Sequence, residues 1–150
     1  MATSSKISRG RDICKHDKIT HIMRKDFDSW NKNKKRIHAD NENKLYHQRE
    51  VWWCSLGVNV GFEQDGDEIK HERPVLILKG LSRNTCLIVP LTTSPKKHKM
   101  RIPLGLVDEK PASALLSQIR VIDTKRLINK IGFIEHKIFE KTRKAAKDLL

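Results

Sequence analysis

Between Glu50 and Pro74 the chain reads EVWWCSLGVNVGFEQDGDEIKHERP, and this run constrains the fold more than any other. Val51, Trp52, Trp53 and Cys54 form a short apolar run of the kind carried by buried strands. Gly57 and Gly61 break it, a polar stretch follows, and Arg73-Pro74 opens a second apolar run, RPVLIL. A strand, a polar loop and another strand in that order belong to a β-rich domain with the loop at one end of a sheet. The loop sets the carboxylates of Glu63, Asp65 and Glu72 beside the permanent cation of Arg73. Acid–base chemistry at a phosphodiester uses that combination: a proton acceptor, and a cation facing the charge that develops.

The 150 residues have room for one domain, and the 37% that are hydrophobic suffice for a single core. A formal net charge of +13 calls for a polyanionic partner: nucleic acid, an anionic membrane or an acidic protein. Three cysteines with no CxxC spacing argue against a disulfide framework, and Cys54 and Cys86, inside apolar runs, read as small core residues. There is no apolar stretch of membrane-spanning length and no signal-peptide core at the N-terminus, so the expected location is cytoplasmic, with no membrane partner. The histidines share no HExxH or Cys–His spacing, and P-loop, GxGxxG and GxSxG motifs are absent. An enzyme built on this chain is expected to need neither a metal nor another cofactor.

Apolar residues recur at helical spacing from Ile19 through Ile22, Met23, Phe27 and Trp30 to Ile37, predicting an amphipathic helix. The stretch 40–44, DNENK, reads as a linker. The expected organisation is a basic N-terminal extension over 1–44 and a β domain with a C-terminal helix over 45–150. Strands are predicted near 51–56, 74–79, 85–91, 114–122 and 131–134, with KGLSRN as the hairpin between the second and third. Pro74 opens its strand, and Pro90 marks a bulge or an edge. Asp123 is placed to cap a short helical turn, TKRLINK. Ile134, Ile138, Ala145 and Leu149 outline the last helix. Five short strands with terminal helices suggest a small, partly open β-barrel.

Three polar clusters are candidates for chemistry. The first is the loop GFEQDGDEIKHERP. The second is Thr92, Thr93 and Ser94 at a strand end, followed by PKKHKMR. The third is SALLSQIRVID, where alternation sends Gln118 and Arg120 to one face and Ile119 and Val121 to the other. An Arg fork suits a phosphate, and a Gln suits a base edge or a sugar hydroxyl. Singly, each cluster is equally compatible with a surface ion pair or a turn cap. Together, at the strand ends of a small barrel, they would share one rim.

These residues resemble the MazF/PemK family, the toxin halves of type II toxin–antitoxin pairs. The matching pieces are EVWWCSLG, VGFEQDG, RPVLIL, VPLTTS and LLSQIRVIDTKRLINKIG, in order over roughly 49–134. DFDSWNKNKKRI is similar to the front of a PemK-like subgroup. The resemblance implies an SH3-like barrel, a homodimer, a cognate antitoxin and metal-independent endoribonuclease action on single-stranded RNA. That reaction is 2′-hydroxyl attack leaving a 2′,3′-cyclic phosphate. It further implies that Arg73 stabilises the phosphorane charge or acts as acid, that Thr92 binds the scissile phosphate and that Glu63 is the general base, with Glu72 as the alternative. Gln118, Arg120, Thr93 and Gln64 would hold the RNA. Phe62 stands where the family often has serine, and offers either a stacking surface or core packing. Residues 67–71 lengthen the loop relative to compact members. The alternative is a non-catalytic RNA- or DNA-binding regulator on the same barrel.

Overall fold

The structure, a computed structural model, describes residues 24–150. Helix α1, Phe27–Ala39, is followed by strands β1 Glu50–Ser55, β2 Glu72–Gly80, β3 Thr85–Thr92, β4 Arg101–Val107 and β5 Lys110–Leu115. A 3-10 turn, Leu116–Gln118, leads to β6 Arg120–Asp123. A second turn, Thr124–Arg126, leads to β7 Leu127–Phe133 and then helix α2, His136–Lys147. The strands form one curled antiparallel sheet in the order β4-β5-β3-β2-β1-β7, and β6 pairs with β3 off that path. The chain is therefore mainly β, a partly open barrel with two helices.

The unbroken apolar runs of β2 and β3 follow from their position, because both faces of these strands are covered. Leu76, Leu78, Val89 and Leu91 point to one side, where Ile134 and Phe139 of the α2 region close a core. Val75, Ile77, Cys86 and Ile88 point to the other, with Trp52, Cys54, Leu56, Ile122 and Leu127. Period-two alternation thus divides one sheet between two cores. Phe139 and Thr142, rather than Ala145 or Leu149, are the buried residues of α2.

Several strand boundaries differ from the sequence expectation, each for a physical reason. The predicted 114–122 strand is two strands hinged at Leu116–Gln118, so Gln118 lies in a turn and not on the β6 face of Arg120. Strand β4 was not expected, and only the last two residues of β5 fall in a predicted strand. In β4 only Leu104 is buried, and a bulge between Pro103 and Gly105 removes the alternation that would reveal a strand. Asp123 does cap its turn, accepting from the Lys125 N–H at 2.8 Å, but the turn ends at Arg126 and LINKIGF continues as edge strand β7. Pro90 sits where β3 leaves β6, paired through Ile88, and meets β5, paired from Leu91. A missing N–H costs least in that gap. Pro74 lies inside β2, opposite Trp53.

Of the expected N-terminal stripe, Ile19, Ile22 and Met23 lie outside the described residues. Helix α1 starts at an N-cap, Asp26, whose carboxylate accepts from the Ser29 N–H at 3.0 Å. It buries one side chain, Trp30, while Phe27 is 49% exposed. Trp30 lies against Gly57, where a β-carbon would come within 2.3 Å of the indole. The His71 ring meets it edge-on at 5.8 Å, and the Arg126 guanidinium lies 5.6 Å from its centre. Residues 67–71 help to build this seat. Asp67 closes them into a tight turn, accepting from the N–H groups of Lys70 and Glu72, and His71 at its end is buried with φ of 60°. The linker after α1 is also tied down, since the Asn43 amide donates to Thr124 Oγ1 at 2.7 Å.

Candidate functional site

The loop between β1 and β2 folds back on itself. Asp65 Oδ1 accepts from the Asn59 N–H at 2.7 Å, and the Gly66 N–H donates to the Gly57 carbonyl at 2.9 Å. A side chain at Gly66 would collide with the backbone of His71, its β-carbon 2.0 Å from that carbonyl. Glu63 and Gln64 are presented at the outer turn of the loop. Glu63 is exposed, and its carboxylate accepts from the Val60 N–H at 3.0 Å.

Gln118 carries this loop across 54 residues of sequence. Its Oε1 accepts from the Gln64 N–H at 2.9 Å, and its Nε2 donates to the Phe62 carbonyl at 3.3 Å. The two glutamines form a ridge between two recesses. On one side a groove of about 750 Å³ is walled by Phe62, Glu63, Pro90, Ile119, Arg120 and Val121. On the other a recess of about 390 Å³ is lined by Lys96, Lys97, His98 and Arg101. Phe62 is 91% exposed, so it is a free aromatic face and not core packing. Arg120 Nη1 lies 3.5 Å from Asn59 Oδ1, at the limit of a hydrogen bond, on the groove wall.

Arg73 is placed at the mouth of β2, half-buried. Its Nε donates to the Asp65 carbonyl at 2.7 Å and its Nη1 to the Leu91 carbonyl at 2.9 Å. The guanidinium therefore joins the loop to the end of β3, one residue before Thr92. Burial draws its pKa below the usual arginine value, while nearby Asp65 and Asp67 act in the opposite direction. It remains a cation at neutral pH, and among the described residues its Nη2 donates to no protein acceptor. Thr92 is half-buried, with Oγ1 accepting from the Ser94 N–H at 3.2 Å, and Thr93 is exposed.

The predicted residues fall into two groups. Glu63, Gln64, Gln118 and Arg120 line one groove. Arg73 and Thr92 meet at the β2–β3 strand ends and reach the first group through Asp65, which is bonded to Arg73 and lies next to Gln64. Arg73, Thr92, Thr93 and Glu72 line neither recess beside the ridge. Sequence reasoning named Asp65 only as one of the loop carboxylates and missed its hold on Asn59; it missed Asn59 itself, and Lys25, considered below. Among the described residues no three His, Cys, Asp or Glu side chains gather as a metal site, and no helix is long and apolar enough to cross a membrane.

Residues 47–150 match the family described as PemK-like, MazF-like toxin of type II toxin-antitoxin system. The chain belongs to the PemK/MazF toxin family. Solved structures agree on the fold. A MazF from Deinococcus radiodurans is 17% identical and superimposes with a TM-score of 0.59, over 71% of this chain and 97% of that one. An endoribonuclease from a mycobacterial species, 16% identical, gives 0.53 over 71% and 91%. An endoribonuclease in complex with its cognate antitoxin, also mycobacterial and 17% identical, gives 0.52 over 69% and 93%. No curated protein matches the chain significantly. The PemK/MazF match begins after α1, so the helix lies outside the family segment, while the residues it sits on, Gly57, His71 and Arg126, lie inside it.

Proposed function

We propose that this PemK/MazF chain is an endoribonuclease toxin that cleaves single-stranded RNA without a metal. The observation that carries the proposal is Arg73: two of its nitrogens are fixed on the Asp65 and Leu91 carbonyls, and its Nη2 is left for a phosphate beside Thr92. A charged group that is already oriented stabilises developing charge without reorganising during the reaction.

In the reaction the RNA 2′-hydroxyl loses its proton to a carboxylate and its oxygen bonds to the neighbouring phosphorus. The bond from phosphorus to the 5′-oxygen breaks, and that oxygen takes up a proton. The products end in a 2′,3′-cyclic phosphate and a 5′-hydroxyl. Arg73 faces the non-bridging oxygens of the phosphorane, and Thr92 Oγ1 donates to the same phosphate. Glu63 is the base, with Glu72 the competing assignment. Exposure favours Glu63, because water and RNA both reach it. Gln64, Gln118 and Arg120 hold the strand, Thr93 stands at its exit, and Phe62 offers a stacking face to an unpaired base. The cationic recess of Lys96, Lys97 and Arg101 suits the backbone of the same strand.

A cognate antitoxin covering this groove and a second copy of the chain complete the proposed set of partners, and the proposed compartment is the cytoplasm. The test is incubation of the purified protein with a long single-stranded RNA in EDTA, with mapping of the new ends. Discrete cuts ending in cyclic phosphate support the proposal. Intact RNA that is bound in a salt-dependent way would replace the enzyme with a nucleic-acid-binding regulator.

A further inference from the structure

Lys25 precedes helix α1 and yet is part of the loop that carries Glu63 and Gln64. Its ammonium group donates to the carbonyls of Asn59 and Gly61, both at 2.7 Å, and lies 3.0 Å from Asp65 Oδ2. An ammonium has three N–H donors, and here each has an acceptor. The side chain is 14% exposed, so these are sheltered contacts, held far more firmly than a surface ion pair. Helix α1 is in turn seated by Trp30, which fixes where Lys25 can reach.

The acceptors themselves point to a role. Two carbonyls and a carboxylate converging on one point would repel each other with nothing between them. Asp65 also lies beside Arg73, accepting through its carbonyl from Nε at 2.7 Å. The Asp65 carboxylate is near enough to act on the Arg73 charge. With Lys25 in place both of its oxygens are engaged, Oδ1 by the Asn59 N–H and Oδ2 by the ammonium; without Lys25 its charge would fall more heavily on Arg73.

We infer that Lys25 is a positioning residue for the proposed reaction: it orders the 57–66 loop from within and keeps the Asp65 carboxylate off Arg73. The segment 25–39 is then a working part of the cleft, although it lies outside the family segment. This inference rests on the endoribonuclease proposal for its catalytic half only; the ordering of the loop stands without it.

The experiment compares the full chain with Lys25→Met and Lys25→Arg. Amide hydrogen exchange over residues 57–66 is read in all three, together with kcat and KM for RNA cleavage. Lys25→Met is expected to speed exchange at Asn59, Glu63 and Gln64 about tenfold or more while the barrel strands stay protected. It is expected to lower kcat about tenfold or more with KM changed less than about threefold, since the loss is in alignment and not in binding. Lys25→Arg, which restores charge and donors, recovers most of both. Unchanged exchange in Lys25→Met overturns the inference whether or not the protein cuts RNA. Faster exchange with an unchanged kcat overturns the positioning role. A wild-type chain that leaves RNA intact defeats the endoribonuclease proposal, and the exchange data still decide whether Lys25 orders the loop.

Discussion

The backbone N–H of Gln64 is held by the side-chain carbonyl of Gln118 at 2.9 Å, a bond that joins the β1–β2 loop to the turn before β6. Because the Gln118 amide also donates to the Phe62 carbonyl at 3.3 Å, one side chain sets two consecutive peptides of the groove wall. Replacing it with leucine keeps the volume and leaves the Gln64 N–H and the Phe62 carbonyl without this partner, at a local cost of about 1–3 kcal/mol. Gln118→Leu is therefore expected to weaken single-stranded RNA binding about tenfold, as read by fluorescence anisotropy at fixed salt. Unaltered affinity would remove Gln118 from the proposed RNA surface.

Gly57 and Trp30 give a prediction about stability. Gly57 has φ of 88°, which penalises any side chain, and its missing β-carbon is replaced by the indole at 2.3 Å. Gly57→Ala should cost about 2–4 kcal/mol and lower Tm by roughly 5–15 °C. Combined with Trp30→Ala the two losses should fall short of additive, because the steric part of the first disappears once the ring is gone. Strict additivity in thermal unfolding would mean that α1 is not seated on Gly57.

The thiols predict an alkaline limit. Burial pushes both Cys54 and Cys86 up to about 12, from an ordinary value of 9.0. A group whose pKa is raised in the folded state contributes stability that is complete below its unfolded pKa and is lost as pH climbs toward the folded value. The fall should therefore run from about pH 9 to 12. In a Cys54→Ala, Cys86→Ala variant, Tm should start lower but decline less steeply over that range. Parallel declines would show that other groups cause the alkaline loss. Alkylation at pH 8 should likewise leave both thiols unmodified until denaturant is added.

The strands were legible where burial is two-sided. β1, β2 and β3 carry near-continuous apolar runs because each separates two cores. β4 was not legible, and β7 was only in its second half, within the strand predicted near 131–134, because an edge strand with one buried residue and an exposed Lys130 or Leu106 carries no period-two pattern. The turn at Leu116–Gln118 was hidden by Leu115 and Leu116, adjacent and both buried, which read as strand interior.

At the site, the chemistry-bearing types were legible but their connections were not. Arg73, Gln118 and Arg120 announce themselves by charge and pattern. That Gln118 bonds to Gln64, or Lys25 to Asp65, depends on loop closure over 54 and 40 residues, which no local pattern encodes. Lys25 sits in a basic segment among many other lysines, and nothing in the sequence singles it out. The role of the 67–71 turn was equally hidden: it supports Trp30 through His71.

The central claim is that the Arg73 fork stabilises the charge of RNA cleavage. The most direct measurement is single-turnover cleavage of a defined single-stranded RNA in EDTA by wild type, Arg73→Lys and Arg73→Ala, with Tm recorded for each. The account predicts a fall of about a hundredfold to a thousandfold for Arg73→Ala and a substantial loss for Arg73→Lys, which keeps the charge without the fork, at little change in RNA affinity. Cleavage by Arg73→Ala at the wild-type rate, with the same cyclic phosphate ends, would contradict it.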